Sequence, residues 1–380
     1  MKICMLTSVH SWNDIRIYGK MARSVARLGY KVSIVAPGEE SAVPGCQDGV
    51  VFYRRNLPKS RWSRIFKTAA EVAHLASTIP ADIYHFHDPE LLPWGLKLRK
   101  KTGRPVVYDV HEDVRLQIPD KAWLPRWSRP WIARAVGWIE DCCAKRMDGI
   151  VAATPAIARR FADHPRCVVV QNFPWRDELA PWPEKNGRRE HGLFVYVGGI
   201  SKIRGIREMI TALEIAGPEA QLALAGRWES PALRAECSRL PGWAQVEELG
   251  FLDREAVRQL LHRAQAGMVL FHPLGNHVES QPNKLFEYMS AGLPVIASDF
   301  PLWRSIVESA CCGLLVHPLE PASIAAAMRW VFSHPEEARA MGHQGRRAVE
   351  EKYHWEKELP KLLDLYSVLV NQSREYVQAA

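Results

Sequence analysis

The chain has 380 residues, enough for two domains with a core each. With 47% hydrophobic and 24% charged residues it is a folded globular chain rather than a disordered or fibrous one, and no apolar run approaches the ~18 residues that a membrane-spanning helix needs. The net charge of +8 is unevenly placed: residues 1–175 carry 27 Lys and Arg against 16 Asp and Glu, the remainder 23 against 26, so an anionic partner is expected on the first half.

The opening run from Met1 to Leu6 is too short for a signal peptide and leads into His10, Asn13, Asp14 and Arg16, so it reads as a buried strand. Ile15 to Leu28 carries a helical apolar stripe (Ile17, Met21, Val25, Leu28) that stops at Gly29. Lys31 to Ala36 is a second strand, which makes a β-α-β unit and starts a parallel sheet. Ile83–Phe86, Val106–Tyr108, Gly149–Ala152 and Cys167–Val170 are further strands with helices between them. Trp175 to Glu190, polar and holding Pro181 and Pro183, reads as a linker. A second alternation follows, with strands at Phe194–Val197, Gln221–Ala225, Gln245–Leu249, Met268–Phe271, Pro294–Ala297 and Gly313–Val316. Helices are expected near 205–216, 253–264, 283–291, 302–308 and 321–332, and through 334–377. The expected fold is α/β, two Rossmann-like domains facing a cleft: residues 1–175, residues 176–355, and a C-terminal helix, 356–380, returning towards the first. Eight cysteines without a C-x-x-C pair argue against zinc and fit reduced core thiols of a cytoplasmic protein.

The densest chemistry lies between His277 and Ala297. Pro282 suits the first turn of a helix. Glu279 then falls in the preceding loop, and Glu287 one to two turns inside. The helix start offers N–H groups and a positive dipole end to a diphosphate, and Lys284 adds a full charge there. Carboxylates on either side can accept hydrogen bonds from sugar and ribose hydroxyls.

The run Asn283-Lys284-Leu285-Phe286-Glu287-Tyr288-Met289, then Gly292-Leu293-Pro294-Val295-Ile296, resembles the Glu-x7-Glu signature of family-four retaining glycosyltransferases with the GT-B fold, in the form found in transferases of bacterial surface polysaccharide. Similarity extends over His10, Asp14 to Ile17, Lys20, Gly29 to Val32, His85 to Glu90, Tyr108 to Glu112, Asn172 and Tyr196 to Gly199 with Arg204-Gly205. The resemblance implies transfer of a hexose-type sugar, with retention, from a nucleotide-diphosphate sugar (UDP- or GDP-linked) to a lipid-linked or glycan acceptor in cell-envelope synthesis. It places Glu279 on the transferred sugar, His111 near the reacting centre and Asp14 with them as catalytic. Glu287 falls on the ribose, and Asn283, Lys284, Lys202, Arg204, Gly198 and Gly199 complete the donor site. His10, Arg16, Lys20, His87 and Asp88 fall on the acceptor or membrane side. The chain departs from the pattern at Gly199, where an arginine is usual, and at Ser8-Val9-His10, where relatives carry Gly-Gly; Lys202 or Lys284 would supply the missing charge.

There is no D-x-D motif and no acidic cluster suited to Mg²⁺ or Mn²⁺. The expectation is therefore a metal-independent site with no cofactor, using cations and a helix start to stabilise the leaving diphosphate. Arg16, Lys20, Arg23 and Arg27 line one face of the first helix. Arg54, Arg55, Lys59, Arg61, Arg64 and Lys67 surround Trp62 and Phe66, and Trp123, Trp127, Trp131 and Trp138 alternate with Arg126, Arg129 and Arg134. These suit an anionic bilayer at the cytoplasmic face of the inner membrane. Nucleic acid is not expected, for want of any familiar motif. A sugar-nucleotide epimerase of the same fold and a non-catalytic sugar-nucleotide-binding protein are the competing readings.

Overall fold

The computed structural model describes residues 1–39, 43, 45–120, 124–179 and 189–379, with side chains to Ser373. The chain divides into two compact units, Met1–Asn172 with Lys357–Ala380, and Phe173–Glu356. The middle of the expected linker, residues 180–188, lies outside the described residues, as does Trp123.

In the first unit, strands β1 (Lys2–Leu6), β2 (Lys31–Pro37), β3 (Cys46–Gln47), β4 (Val50–Arg55), β5 (Ile83–Phe86), β6 (Val106–Val110), β7 (Gly149–Ala152) and β8 (Cys167–Val169) form one sheet in the order β3-β4-β2-β1-β5-β6-β7-β8. Neighbours run parallel except β3 against β4. All four residues of β5 and all five of β6 are buried, as strands covered on both faces must be. The β3–β4 pair was not foreseen: β4, Val-Val-Phe-Tyr-Arg-Arg, reads in sequence as the start of a basic stretch, and the edge strand β3 is only two residues long. The strand order reverses beside β1, so the loops after β1 and β5 flank the switch point where open α/β sheets bind ligands.

The second unit has β9 (Leu193–Val197), β10 (Gln221–Ala225), β11 (Val246–Gly250), β12 (Ala266–Val269), β13 (Val295–Ser298) and β14 (Gly313–Val316), in the order β11-β10-β9-β12-β13-β14, all parallel. Its core has two halves, one on each face of the sheet. Val195, Ala223, Val269 and Ala297 pack with Tyr288 and Trp303, whereas the alternate residues Phe194, Leu222, Met268 and Ile296 pack with Met209 and Met328. The switch point here lies at β9 and β12. The expected helical tail is two helices, Pro335–Glu351 and Trp355–Ala379. From Lys357 onward the last one belongs to the first unit, where a Cβ on Gly149 would sit 3.1 Å from Leu365. The fold class is as expected: α/β, with two parallel-sheet units.

Candidate active site

At the switch point of the second unit, β9 ends at Val197 and turns at Gly198 and Gly199. Tyr288 is buried on the helix Asn283–Ser290; its hydroxyl oxygen accepts the Val197 N–H at 2.9 Å and fixes the helix to the strand end. Pro282 stands just before that helix, at its N-cap, and no side chain caps the N-terminus. Lys284 is buried in the first turn. Its ammonium lies 3.6 Å from the centroid of the Tyr196 ring and 5.5 Å from that of Phe271, and has no hydrogen-bond partner among the described residues. A Cβ on Gly198, which has φ +129°, would meet Lys284 Nζ at 3.3 Å.

Arg204 comes to the same turn. It donates to Gly199 O at 3.1 Å, its guanidinium stands 5.6 Å from the Phe271 ring centroid, and a Cβ on Gly199 would lie 2.7 Å from Arg204 Nη1. This explains the departure at position 199: the space a side chain there would fill is held by Arg204. Burial, and then the charge of Arg204, push the Lys284 ammonium well below its usual pKa. Two cations therefore converge on one glycine turn. Lys202 is exposed, and its backbone N–H points to Glu229.

Glu279 closes the short helical turn Gly275–Val278 and is exposed. Its loop is pinned by the buried Trp303, which donates to Ser280 O at 2.7 Å, and by His277, whose Nδ1 lies 3.2 Å from His272 O. Glu287 is half-buried and already engaged, its Oε1 2.8 Å from Arg254 Nη1. Arg254 also bonds Glu178 at 2.7 Å. Burial opposes the charge on Arg254, but Glu287 and Glu178 outweigh it and hold the guanidinium above its usual range. Asn283, at the helix start, is half-buried.

In the first unit the loops after β1, β5 and β6 build one polar network. Asp14 caps the first helix, accepting from Arg16 N at 2.8 Å and Ile17 N at 2.9 Å, and its other oxygen lies 3.3 Å from His10 Nδ1. His10 Nε2 is 3.5 Å from Asp88. Burial works against a charged His10, but Asp14 and Asp88 prevail and raise its pKa; burial likewise opposes the Asp14 carboxylate, and His10 and Ile17 N–H hold it well below the usual range. Asp88 accepts from Ser8 N at 2.5 Å, Thr7 Oγ1 at 2.8 Å and Val9 N at 3.2 Å. Two amides of the altered Ser8-Val9-His10 loop thus donate to the protein's own carboxylate, and the third, His10 N–H, donates to Thr7 Oγ1 at 2.9 Å. Asp109 receives Arg16 in a two-pronged bond (2.8 and 2.9 Å), with His87 and His111 each 3.0 Å away. His111 reaches the surface and lies 5.1 Å from His10, ring centre to ring centre. Behind them, His85 Nδ1 is 2.6 Å from the hydroxyl of Tyr366 on the last helix.

Arg16, Lys20, His87 and Asp88, expected on the acceptor or membrane side, are all buried, Arg16 and Lys20 at 4% and 3% exposure, so they form no exposed basic face. The regular spacing suggested a solvated stripe. Instead the helix opens with a wide π-type stretch, Ile15–Ala22. Arg16 turns in to Asp109 and Val170 O, and Lys20 donates to Asn172 O and Oδ1. Asp14 spends both oxygens on the helix start and His10, so it positions His10. His10 and His111 keep a partly exposed edge.

His85, His87 and Asp109 bring one ligand atom each within 4.8 Å of the others, a cluster not foreseen from sequence. It does not suit a cation, because the Arg16 guanidinium already sits on both oxygens of Asp109 and Tyr366 occupies His85. Among the described residues no helix is long and apolar enough to cross a membrane.

Comparison with known proteins agrees with this layout. Residues 16–172 match the glycosyl transferase 4-like domain and residues 180–348 the glycosyl transferases group 1 domain. The fold and these two domains make the chain a glycosyltransferase of the GT-B type. It is 27% identical over 306 residues to a D-rhamnosyltransferase, WbpZ, of Pseudomonas aeruginosa, a match covering 76% of this chain and 72% of that one. The sucrose-phosphate synthase of Thermosynechococcus elongatus has the same fold, with TM-score 0.77 and 18% identity over 100% of both chains. So has the Anabaena protein HepE in complex with UDP-glucose, with TM-score 0.73 and 16% identity over 97% of this chain and 100% of that one.

Proposed function

We propose that this chain is a family-four retaining transferase that moves a hexose-type sugar from a UDP- or GDP-sugar to a lipid-linked or glycan acceptor of the cell envelope. The observation that carries the reading is the pair Lys284 and Arg204, two cations with no carboxylate bonded to either among the described residues, meeting at the Gly198–Gly199 turn. A folded protein does not bury an unpaired ammonium without cost; an anion on that spot would offset it. The uncapped start of the helix Asn283–Ser290 adds a favourable dipole end.

In this reading the donor diphosphate lies on Lys284, Arg204 and the glycine turn. Glu287, held by Arg254, takes the ribose, and Glu279 takes the transferred sugar. As the anomeric carbon–oxygen bond breaks, the diphosphate gains charge, and the two fixed cations stabilise it as a divalent ion would, so no metal is needed. The acceptor oxygen bonds to the anomeric carbon on the face the diphosphate leaves, and its proton passes to a diphosphate oxygen. His111 and His10, on the first unit, serve the sugar and acceptor. The name of the P. aeruginosa relative supports a 6-deoxyhexose among the donors to try.

The test is a panel of nucleotide-sugars incubated with the protein and a lipid extract, with nucleotide release and product anomer followed by chromatography and NMR. Acceptor-dependent release of nucleotide with a retained anomeric configuration is expected, as is loss of most turnover in folded Glu279→Ala and Glu287→Ala. An altered sugar nucleotide without acceptor would mean epimerisation, and an inverted product would overturn retention.

A further inference from the structure

The helix Arg129–Ala144 of the first unit is built inside out. Its inward face is small or polar: Ala133, Gly137, Glu140 and Ala144 are buried, and a Cβ on Gly137 would already lie 2.4 Å from Arg115. Its bulk faces solvent. Trp131 is 67% exposed, Trp138 68% and Trp127, one turn before Trp131, 79%; Ile139 is exposed beside them. Arg134 lies between the two helical tryptophans, its guanidinium 5.6 Å from the Trp131 ring centroid. A core-packing helix puts its aromatics inward; three exposed tryptophans on one stripe have nothing to gain from the fold.

A second aromatic pair stands on another element of the same unit. Trp62 and Phe66 stack with centroids 6.0 Å apart and planes within 10°, and both are more than three-fifths exposed. The cations beside them are Lys59, Arg61, Arg64 and Lys67; residues 56–67 contain no acid, and from outside that run Glu90 pairs with Arg64 at 2.8 Å and Glu71 lies 3.9 Å from Lys67. Residues 121–139 contain no acid either. Both patches therefore combine exposed indole or phenyl rings with a local excess of cations in the sequence.

We propose that the outward face of the helix Arg129–Ala144, with Trp127, Trp131, Arg134 and Trp138, docks on an anionic lipid bilayer, with Trp62 and Phe66 as a second anchor. Indole rings settle at the depth of the headgroups, and guanidinium groups remain among the lipid phosphates. Charge favours this occupant over a second copy of the chain, because a two-fold contact would set Arg134 and its neighbours against their own like charges. The surface differs from the one suggested by the basic spacing of the first helix, since Arg16 and Lys20 are buried. Docking lies beyond the transferase reading and does not depend on it.

The test is sedimentation of the full chain with vesicles of phosphatidylcholine alone or with about 30 mol% phosphatidylglycerol, at low and high salt. Binding is expected only with the anionic lipid and is expected to weaken with salt. The triple variant Trp127→Ala/Trp131→Ala/Trp138→Ala should bind at least about tenfold more weakly, and Arg134→Ala about fivefold more weakly. Phe251→Ala, which removes an exposed aromatic of the second unit, should bind as the parent does. Circular dichroism melts check that the variants are folded; if the triple variant unfolds, Trp131→Ser and Trp138→Ser are read singly. No binding to acidic vesicles at low salt, or equal binding by the folded tryptophan variants, would overturn the proposal. So would a dimer in sedimentation velocity that the triple variant abolishes while vesicle binding stays unchanged.

Discussion

The Lys284 ammonium lies 3.6 Å over the ring of Tyr196 with no hydrogen-bond acceptor among the described residues. The ring face recovers part of the lost hydration, but burial and Arg204 still press the group towards its neutral form. An anion that enters this spot restores the charge and gains a strong bond. Lys284→Met should therefore leave the protein as stable as before, or more stable by about 1 kcal/mol, since it swaps a desolvated charge for a side chain of similar volume. The same variant should weaken binding of the donor nucleotide about 10- to 100-fold, the loss of one charge-assisted contact. Thermal melts and titration calorimetry with UDP and GDP separate the two effects. A stability loss with unchanged nucleotide affinity would mean that Lys284 serves the fold.

Glu287 is expected to depend on Arg254. Removing the arginine leaves a half-buried carboxylate facing Glu178 without its bridge. Arg254 is 40% exposed, so the cost of Arg254→Ala should be about 1–2 kcal/mol rather than the larger penalty of a fully buried pair. Nucleotide binding should fall as well, because Glu287 loses the contact that orients it. Arg254→Lys should recover stability better than binding, since an ammonium cannot hold two carboxylates in fixed directions. Urea melts and nucleotide titrations of the two variants give the comparison.

How far sequence alone reaches is plain from these same residues. A strand such as Gly149–Ala152 is legible because a strand covered on both faces is apolar throughout. The spacing of Glu279, Lys284 and Glu287 is local, so it too can be read. Arg254 and Glu178 stand 76 residues apart, and Arg16 and Asp109 stand 93 apart. No periodicity signals such partners, and a buried cation has the same letter as a solvated one. Hence the basic stripe of the first helix misleads, and the exposure of Trp131 and Trp138 emerges only when the inward face of their helix is seen to be small.

The Arg16–Asp109 pair gives a sharp stability test. Both side chains are almost fully buried and bonded twice. Asp109→Asn should cost about 3–5 kcal/mol, because the guanidinium stays buried without its counter-charge. Arg16→Met/Asp109→Leu together should recover most of that loss, as apolar replacements of buried pairs often do. A double-mutant cycle by urea unfolding measures the coupling. If instead Arg16→Met behaved as a surface substitution, with a change under about 0.5 kcal/mol, the buried network would be wrong.

The histidines beneath this pair predict a pH dependence with a definite sign. Burial, then the neighbouring His87, hold His85 well below its usual pKa; burial does the same to His87 against the pull of Asp109. Both are neutral in the folded chain at the pH where the unfolded chain begins to protonate them. As pH falls below about 6.5, the unfolded state takes up protons that the native state refuses, and stability drops. The slope is at most about 1.4 kcal/mol per pH unit for each group until its folded pKa is reached. His10 acts in the opposite sense, since its raised pKa gives stability that is complete below about 6.5 and is lost as pH rises through the folded value. It is partly exposed and single, so the two buried rings should set the net trend. Urea midpoints from pH 7.5 to 5 should therefore decline. His85→Gln, which removes one titration while keeping a polar partner for Tyr366, should make that decline shallower. A midpoint that rises on acidification over this range would mean that His10 dominates and that the inner pair titrates in the folded state.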